Sequence, residues 1–302
     1  MHPILFEIGG FPLRSFGAMV ALGFLLGSQW LWPRLLRRHG LDPERDALRC
    51  QSVAFWVLVG VLLGGRAMYV VVEVAKHLGG ATGENSFGAR VLDRPWEAAY
   101  IWEGGMAMYG GFAGAVLFGI WAAKKHGLDV ANGLDTGLTA GMLGQAIGRV
   151  GCLLVGDDYG RSVPAAWHNT PFPITLRVPD REWLAANPES LFDGHLAGEV
   201  LWATQPWMSA KALILLAIGI WLLRRRRYRG QVALTVVFGY GVLRFIVEIF
   251  RGDPIRGLWF DGAVSTSQLI SIPLVLISGY FLVRWRKRVD PVLTAAQTNR
   301  VS

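Results

Sequence analysis

Charged side chains are scarce in this sequence. They make up 17% of its 302 residues, against roughly 25% in a soluble domain, which excludes a fully water-covered globular surface. Cysteine is nearly absent. Cys50 and Cys152 are the only two, and their contexts suggest neither a disulfide framework nor a CxxC metal site. No Gly-x-Ser-x-Gly elbow occurs, so a serine hydrolase is unsupported. No internal repeat is visible, which counts against a small-solute transporter built from paired halves. The N-terminus carries no basic stretch ahead of its first apolar run, and that run is therefore expected to be a permanent span rather than a cleaved signal peptide.

What the chain has instead is apolar length. Apolar residues reach 52% and the mean hydropathy is +0.36. The 13 Trp and 38 Gly fit the same reading, since Trp anchors membrane interfaces and Gly lets spans approach closely. A bilayer core of about 30 Å needs roughly 20 mostly apolar helical residues. Runs near Ser15–Trp32, Ser52–Val74, Gly104–Ala123, Asn132–Val155, Trp207–Leu223, Val232–Phe250 and Ser265–Trp285 meet that requirement, the fourth being the weakest because it is rich in Gly and Thr and contains Asp135. The expected fold is an all-α polytopic membrane protein of about seven transmembrane helices, forming a single transmembrane domain over residues 1–302.

The net charge of +8 is spread beside the apolar runs rather than gathered into one arm, so nucleic acid is not an expected partner. Arg34, Arg37, Arg38, Arg45 and Arg49 follow the first run, Lys124 and Lys125 the third, and Arg224 to Arg227 with Arg229 the fifth, while Arg284, Arg286, Lys287 and Arg288 follow the seventh. With seven spans, all four segments fall on one side, and basic short loops mark that side as cytoplasmic. The N-terminus is then outside and the C-terminus inside. The one sizeable extramembrane piece, residues 156–206, becomes a small periplasmic insertion, with a short strand expected in Phe172–Val178 and a helical turn in Arg181–Ala186. Residues 289–302 read as a flexible cytoplasmic tail.

Three arginines sit inside or at the ends of apolar runs: Arg66, Arg149 and Arg244. A charge near the bilayer centre costs about 2.5–3.5 kcal/mol on the insertion scale, so such residues face a cavity or a partner. Glu248 follows Arg244 by four positions and shares its helix face; the pair either locks helices together or serves a site. Arg66 either snorkels to the headgroups or reaches a ligand. Arg149 lies between Gly148 and Gly151, where a ligand can approach the backbone, and a guanidinium fork matches phosphate oxygens. Asp135, Gln145, Asp157 and Asp158 add polar groups on or near the same run. Gly64-Gly65, Gly104-Gly105 and Gly110-Gly111 are read either as tight helix packing or as space beside Tyr109, whose phenol can donate.

Taken in order, these residues resemble a known family. Gly64-Gly65-Arg66-Ala67-Met68-Tyr69, Trp102-Glu103-Gly104-Gly105-Met106, Tyr109-Gly110-Gly111, Gly148-Arg149-Val150-Gly151-Cys152 through Asp157-Asp158-Tyr159-Gly160-Arg161, and Tyr240 through Arg251 are similar to successive motifs of the prolipoprotein diacylglyceryl transferases. Ser265 through Ser271 with Pro273 resembles the last-span motif of that family. The likeness runs from about Leu13 to Trp285, and it points to a divergent subgroup.

The resemblance implies seven spans with the N-terminus outside, in the bacterial inner membrane. It implies transfer of the diacylglyceryl group of phosphatidylglycerol to a cysteine thiol in the signal peptide of a preprolipoprotein, with glycerol phosphate leaving and no metal or cofactor used. Its implied substrates and partners are phosphatidylglycerol, preprolipoprotein signal peptides and membrane lipids. Carried over by position, Arg149, Arg244, Glu248 and Tyr109 are catalytic candidates. Arg149, Arg161, Asp157, Gly160, Arg66, Gly110 and Gly111 are substrate-binding candidates. Cys152 stands where many members have asparagine and is read as a small packed residue, with no His near in sequence to activate it. Phe16 replaces a functionally important tyrosine of the family, and Ala203 through Met208 is a reduced form of its His-Pro-Ser/Thr-Gln-Leu-Tyr-Glu motif. A non-catalytic descendant that binds anionic lipid or lipoprotein precursors is the alternative those departures raise.

Overall fold

The structure is a computed structural model that describes residues 1–293 except 10, 84–85, 101–103, 253–256 and 261. Trp102 and Glu103 of the second motif, and most of the expected tail, therefore lie outside the described residues.

The fold is that of an all-α polytopic membrane protein. Among the described residues six helices are long and apolar enough to cross a bilayer: α1 (Ser15–His39), α2 (Pro43–Leu78), α5 (Val130–Val155), α7 (Thr204–Leu223), α8 (Gln231–Glu248) and α9 (Thr266–Arg284). The third expected span is also helical, as α4 (Met108–His126), but Gly110, Gly111, Gly114 and Gly119 with Lys124 and Lys125 keep its hydropathy below that of the six. A short α3 (Phe87–Asp93) precedes it, and α6 (Arg181–Ala186) lies in the insertion. Helix α2 starts nine residues ahead of its apolar run because the signal there is capping. The Asp42 carboxylate accepts from the Arg45 N–H, Pro43 fills the first turn, and Glu44 and Asp46 sit at the positive end of the helix dipole. Arg45 and Arg49 consequently lie on a helix rather than in a loop.

The chain divides into two compact units, Asp42–Gly133 and the remainder. In the first, α2 and α4 pack along each other through glycine. A Cβ on Gly60, Gly64, Gly110 or Gly114 would strike the facing backbone, so these residues set the close approach typical of small-xxx-small contacts. Trp56, Phe118 and Trp121 close the same seam, with Trp121 meeting the other two rings edge-on.

In the second unit, α1 approaches α5 where Gly23 and Gly27 face Gly144 and Ala140. Helices α7, α8 and α9 pack in sequence around Met208, Leu215, Val232 and Val236, all fully or nearly fully buried. At the far end of α5 from Arg149, Asp135 is the buried anchor. Its carboxylate accepts from Arg226 Nη1 at 2.6 Å and from the N–H groups of Gly230 and Ala233 at 2.9 and 2.8 Å. Arg226 also donates to the His39 carbonyl at 2.8 Å. One arginine of the basic run is thus consumed in fastening the start of α8.

Short hairpins complete the unit: β1 (Ile4–Ile8) with β2 (Phe11–Arg14) before α1, β3 (Thr175–Arg177) with β4 (Val200–Trp202) in the insertion, and β5 (Leu258–Trp259) with β6 (Val264–Ser265) before α9. The insertion has its own core of Tyr159, Val178, Phe192 and Leu201. The expected strand and helical turn are both found there, the strand at Thr175–Arg177 and the helix at Arg181–Ala186, capped by Asp180.

Candidate functional site

The last turns of α5 present Arg149 and Cys152, and the chain then turns at Gly156, whose φ is +80°. Asp157 and Asp158 follow directly. Asp158 has a φ of +55°, a left-handed conformation that Asp tolerates better than most residues. The first turn of α7 holds this acidic corner in place. Thr204 Oγ1 donates to the Asp158 carbonyl at 2.7 Å, and Gln205 Nε2 donates to the Asp157 carbonyl at 2.9 Å. The Asp157 carboxylate accepts from the Asp158 N–H at 2.8 Å. Thr204 and Gln205, which in sequence belong to the reduced motif, therefore retain a defined task.

From this corner a chain of alternating charge runs into the bundle. Asp158 accepts from Arg149 through one carboxylate oxygen and from Arg251 through the other. Arg251 Nε lies 3.9 Å from Glu248 Oε2, and the same oxygen is 2.8 Å from Arg244 Nη2. Arg244 Nη2 also donates to Ser267 Oγ at 2.8 Å, and its Nη1 lies 3.8 Å from Met208 Sδ. The order is Arg149, Asp158, Arg251, Glu248, Arg244. Arg149 and Asp158 each keep 18% of their side-chain surface exposed, whereas Glu248 keeps 1%. The open end is thus at Arg149 and the closed end at Glu248.

Three guanidiniums face two carboxylates along this chain, an excess of one positive charge before Asp157 is considered. Guanidinium groups in a poorly hydrated pocket attract an anion far more strongly than they do in water, and their planar forks suit the oxygens of a phosphate. Cys152 Sγ sits 3.8 Å from both Arg149 Nη1 and Asp158 Oδ2. With Asp157 and Asp158 it forms a set whose ligand-type atoms lie within 4.8 Å of one another. The Asp158 carboxylate in that set is already engaged by two arginines, so the cluster is an ion-pair network first.

Gly160 and Arg161 tie the corner to the segment after α8. The Gly160 N–H donates to the Trp202 carbonyl at 3.1 Å, the Arg161 N–H to the Phe250 carbonyl at 2.9 Å, and the Gly252 N–H to the Tyr159 carbonyl at 3.2 Å. A Cβ on Gly160 would run into the Trp202 main chain, so the absent side chain is what admits the neighbouring strand. Trp202, Trp207 and Phe250 cluster beside it, Phe250 meeting both tryptophans edge-on. The Arg161 side chain is exposed at the rim.

The other sequence candidates belong to the Asp42–Gly133 unit. Arg66 is buried, and its guanidinium donates to the carbonyls of Glu97, Ala98, Gly104 and Gly105 at 2.6–3.2 Å. It also lies over the Phe87 ring at 4.8 Å. Tyr109 is half-exposed in the first turn of α4. Gly110 meets Gly64 and Met68, and Gly111 faces Val61. The structure brings Arg149, Arg244, Glu248, Asp157 and Gly160 together in one unit and places Arg66, Tyr109, Gly110 and Gly111 in the other.

Sequence reasoning assigned no role to Arg251, Ser267 or Lys211. Arg251 follows Glu248 by three positions, just past the end of α8, where the chain turns back on the helix. Asp158 was named only as a nearby polar group, yet it is the carboxylate that joins two arginines. Lys211 had no flag beyond being a lone lysine in an apolar run.

Comparison with known proteins identifies what the chain is similar to. A family model described as prolipoprotein diacylglyceryl transferase matches residues 3–284. The chain is 30% identical over 277 residues to a protein of Geobacter sulfurreducens, covering 92% of each chain. It is 28% identical over 284 residues to one of Rhodospirillum centenum, covering 94% of this chain and 91% of the relative. It is 30% identical over 297 residues to one of Azospirillum brasilense, covering 95% and 96%. All three relatives bear the name phosphatidylglycerol–prolipoprotein diacylglyceryl transferase.

Proposed function

Because the chain belongs to the prolipoprotein diacylglyceryl transferase family, we propose that it moves the diacylglyceryl group of phosphatidylglycerol onto the lipobox cysteine of preprolipoproteins, the first step of bacterial lipoprotein maturation. The observation that carries this reading is the linked set Arg149, Asp158, Arg251, Glu248 and Arg244, three guanidiniums to two carboxylates, which runs from the corner after α5 to the last turns of α8.

In this reaction the thiol sulfur attacks the glyceryl carbon that bears the phosphate ester. A sulfur–carbon bond forms, the carbon–oxygen bond breaks, and glycerol phosphate leaves with the electron pair. The thiol proton must pass to a base, because a free thiol, with a pKa of about 8.5, is mostly protonated at neutral pH. Negative charge grows on the departing phosphate, and fixed cations already in position there lower the barrier without reorganising. Arg149 and Arg244 are assigned to that phosphate, with Glu248 orienting Arg244. Arg161 at the rim recruits or releases the headgroup. Asp157 is the candidate headgroup binder or base, and Tyr109 the candidate donor to the phosphate or proton relay. Gly160 shapes the corner. Arg66, Gly110 and Gly111 are the remaining substrate-binding candidates.

The same reading gives the chain seven crossings of the bacterial inner membrane, with α4 the third of them. The N-terminus is outside, residues 156–206 form a periplasmic insertion, and residues 289–302 are a cytoplasmic tail. Its partners are phosphatidylglycerol and the signal peptides of preprolipoproteins. Complementation of a transferase-depleted strain tests it. Growth with the wild-type gene and none with Arg149→Ala supports catalysis. No growth with a correctly inserted wild-type chain would favour the non-catalytic, lipid-binding descendant.

A further inference from the structure

Among the described residues, Lys211 is a buried charged side chain near the arginine network that the proposed chemistry leaves unused. It lies on α7, seven residues past Thr204, about 10 Å into the span at the α-helical rise. It is 3% exposed, and among the described residues no hydrogen-bond acceptor reaches its Nζ. What faces it is the Tyr240 ring of α8, whose centroid is 4.1 Å from Nζ. The charged groups that act on it are Arg244, Arg149, Arg251 and Glu248, the members of the network itself. Helix geometry explains why. Met208, one turn earlier on the same face, touches Arg244, and Tyr240 lies one turn before Arg244 on α8. Lys211 therefore continues the positive surface one turn deeper.

An amine placed here without an acceptor is costly, because a charge inside a span has lost its water and needs a partner. Three of its four charged neighbours carry its own sign, and Glu248 is already engaged by Arg244 and Arg251. Tyr240 offers a ring face, which offsets part of the desolvation and supplies no oxygen acceptor. The missing partner is an anion with several acceptor oxygens, small enough to enter beside Arg149 at the open end.

We propose that Lys211 is a fourth cation of the phosphate site, donating from α7 to the phosphodiester of an anionic phospholipid headgroup held by Arg149 and Arg244. This rests on the transferase reading for the identity of the lipid. The shared chemistry is an anionic phosphate ester, supplied by a membrane lipid or by a free phosphate ester.

The test is equilibrium binding of a fluorescent phosphatidylglycerol to the purified full-length chain in neutral-detergent micelles. Unlabelled phosphatidylglycerol, diacylglycerol and glycerol phosphate serve as competitors. Lys211→Met should weaken phosphatidylglycerol binding about tenfold or more, as loss of a charge-assisted hydrogen bond implies, and leave displacement by diacylglycerol unchanged. Lys211→Arg should stay within about threefold of wild type, because the positive charge and donors are kept. Wild-type affinity in Lys211→Met would overturn the proposal, and so would equal loss in Lys211→Arg with both variants melting as wild type does. Displacement by glycerol phosphate at the concentrations where phosphatidylglycerol displaces would overturn the assignment to a lipid headgroup. A chain that binds the lipid through Lys211 but transfers nothing to a lipobox peptide would sink the transferase reading and leave the lysine assignment standing. Transfer unaffected by Lys211→Met would do the reverse.

Discussion

Arg149 and Arg251 grip opposite oxygens of one carboxylate, that of Asp158. Two guanidiniums from distant parts of the sequence are thereby held side by side despite their repulsion. Asp158 can do this because Thr204, on a separate helix, fixes its main chain. The cations are then in place before any anion arrives, and that preorganisation is what gives fixed charge its value at a reacting phosphate.

Arg251 accordingly behaves as a working member of the site. Arg251→Gln should lower kcat/KM for diacylglyceryl transfer about tenfold or more, the scale of one lost charge-assisted contact. Arg251→Lys should recover part of it, since lysine keeps the charge but loses the fork. Steady-state assay of both variants in phosphatidylglycerol micelles decides the point.

Gly160 tests the corner. Gly160→Ala puts a methyl against the Trp202 main chain. A backbone clash of this kind costs about 1–3 kcal/mol of overpacking, read as a fall in melting temperature in detergent. Activity should drop along with it, because Gly160 itself bridges to Arg251 and lies two residues past Asp158. An alanine variant that melts and turns over like wild type would remove the close approach from the account.

The Asp135–Arg226 pair is a fastening and takes no part in the chemistry. Asp135→Ala or Arg226→Ala strands a buried charge and should cost about 3–5 kcal/mol. A double replacement by apolar residues of similar volume should regain much of that loss. The surviving folded fraction should transfer at the wild-type rate per molecule, measured against an active-site titration at low temperature.

A milder pH effect is expected at the other end of the chain. Burial raises the pKa of the Asp290 carboxyl, but hydrogen bonds from Arg229 and the Val292 N–H outweigh it and hold the group below its usual value. A depressed carboxylate contributes stability that is complete above the ordinary value of about 3.9. That contribution is lost as pH falls through the lowered one. Asp290→Asn should therefore melt lower than wild type at pH 7, and the gap should close in strong acid.

Hydropathy and basic loops made the helices legible because membrane thickness sets the length of a span and charge is expensive inside it. The start of α2 was missed where capping by Asp42 and Pro43 extends a helix beyond its apolar run. Among site residues, Arg149, Arg244 and Glu248 stood out because each is a charge in the wrong solvent. Asp158 and Arg251 did not, since they sit at span ends where charge is ordinary, and only the folded corner brings them together. Lys211 was invisible for the opposite reason. A single lysine within an apolar run has no spacing pattern to interpret until Tyr240 and the arginines are seen around it.

The most direct test is transfer of labelled diacylglyceryl from phosphatidylglycerol to a synthetic lipobox peptide by the purified chain, with Arg149→Gln and a Cys-to-Ser peptide as controls. The account predicts thioether product with wild type, none with the serine peptide, and a loss of about a hundredfold or more with Arg149→Gln, the scale of removing one fixed donor from a developing charge. Wild-type turnover by a well-folded Arg149→Gln enzyme would contradict it.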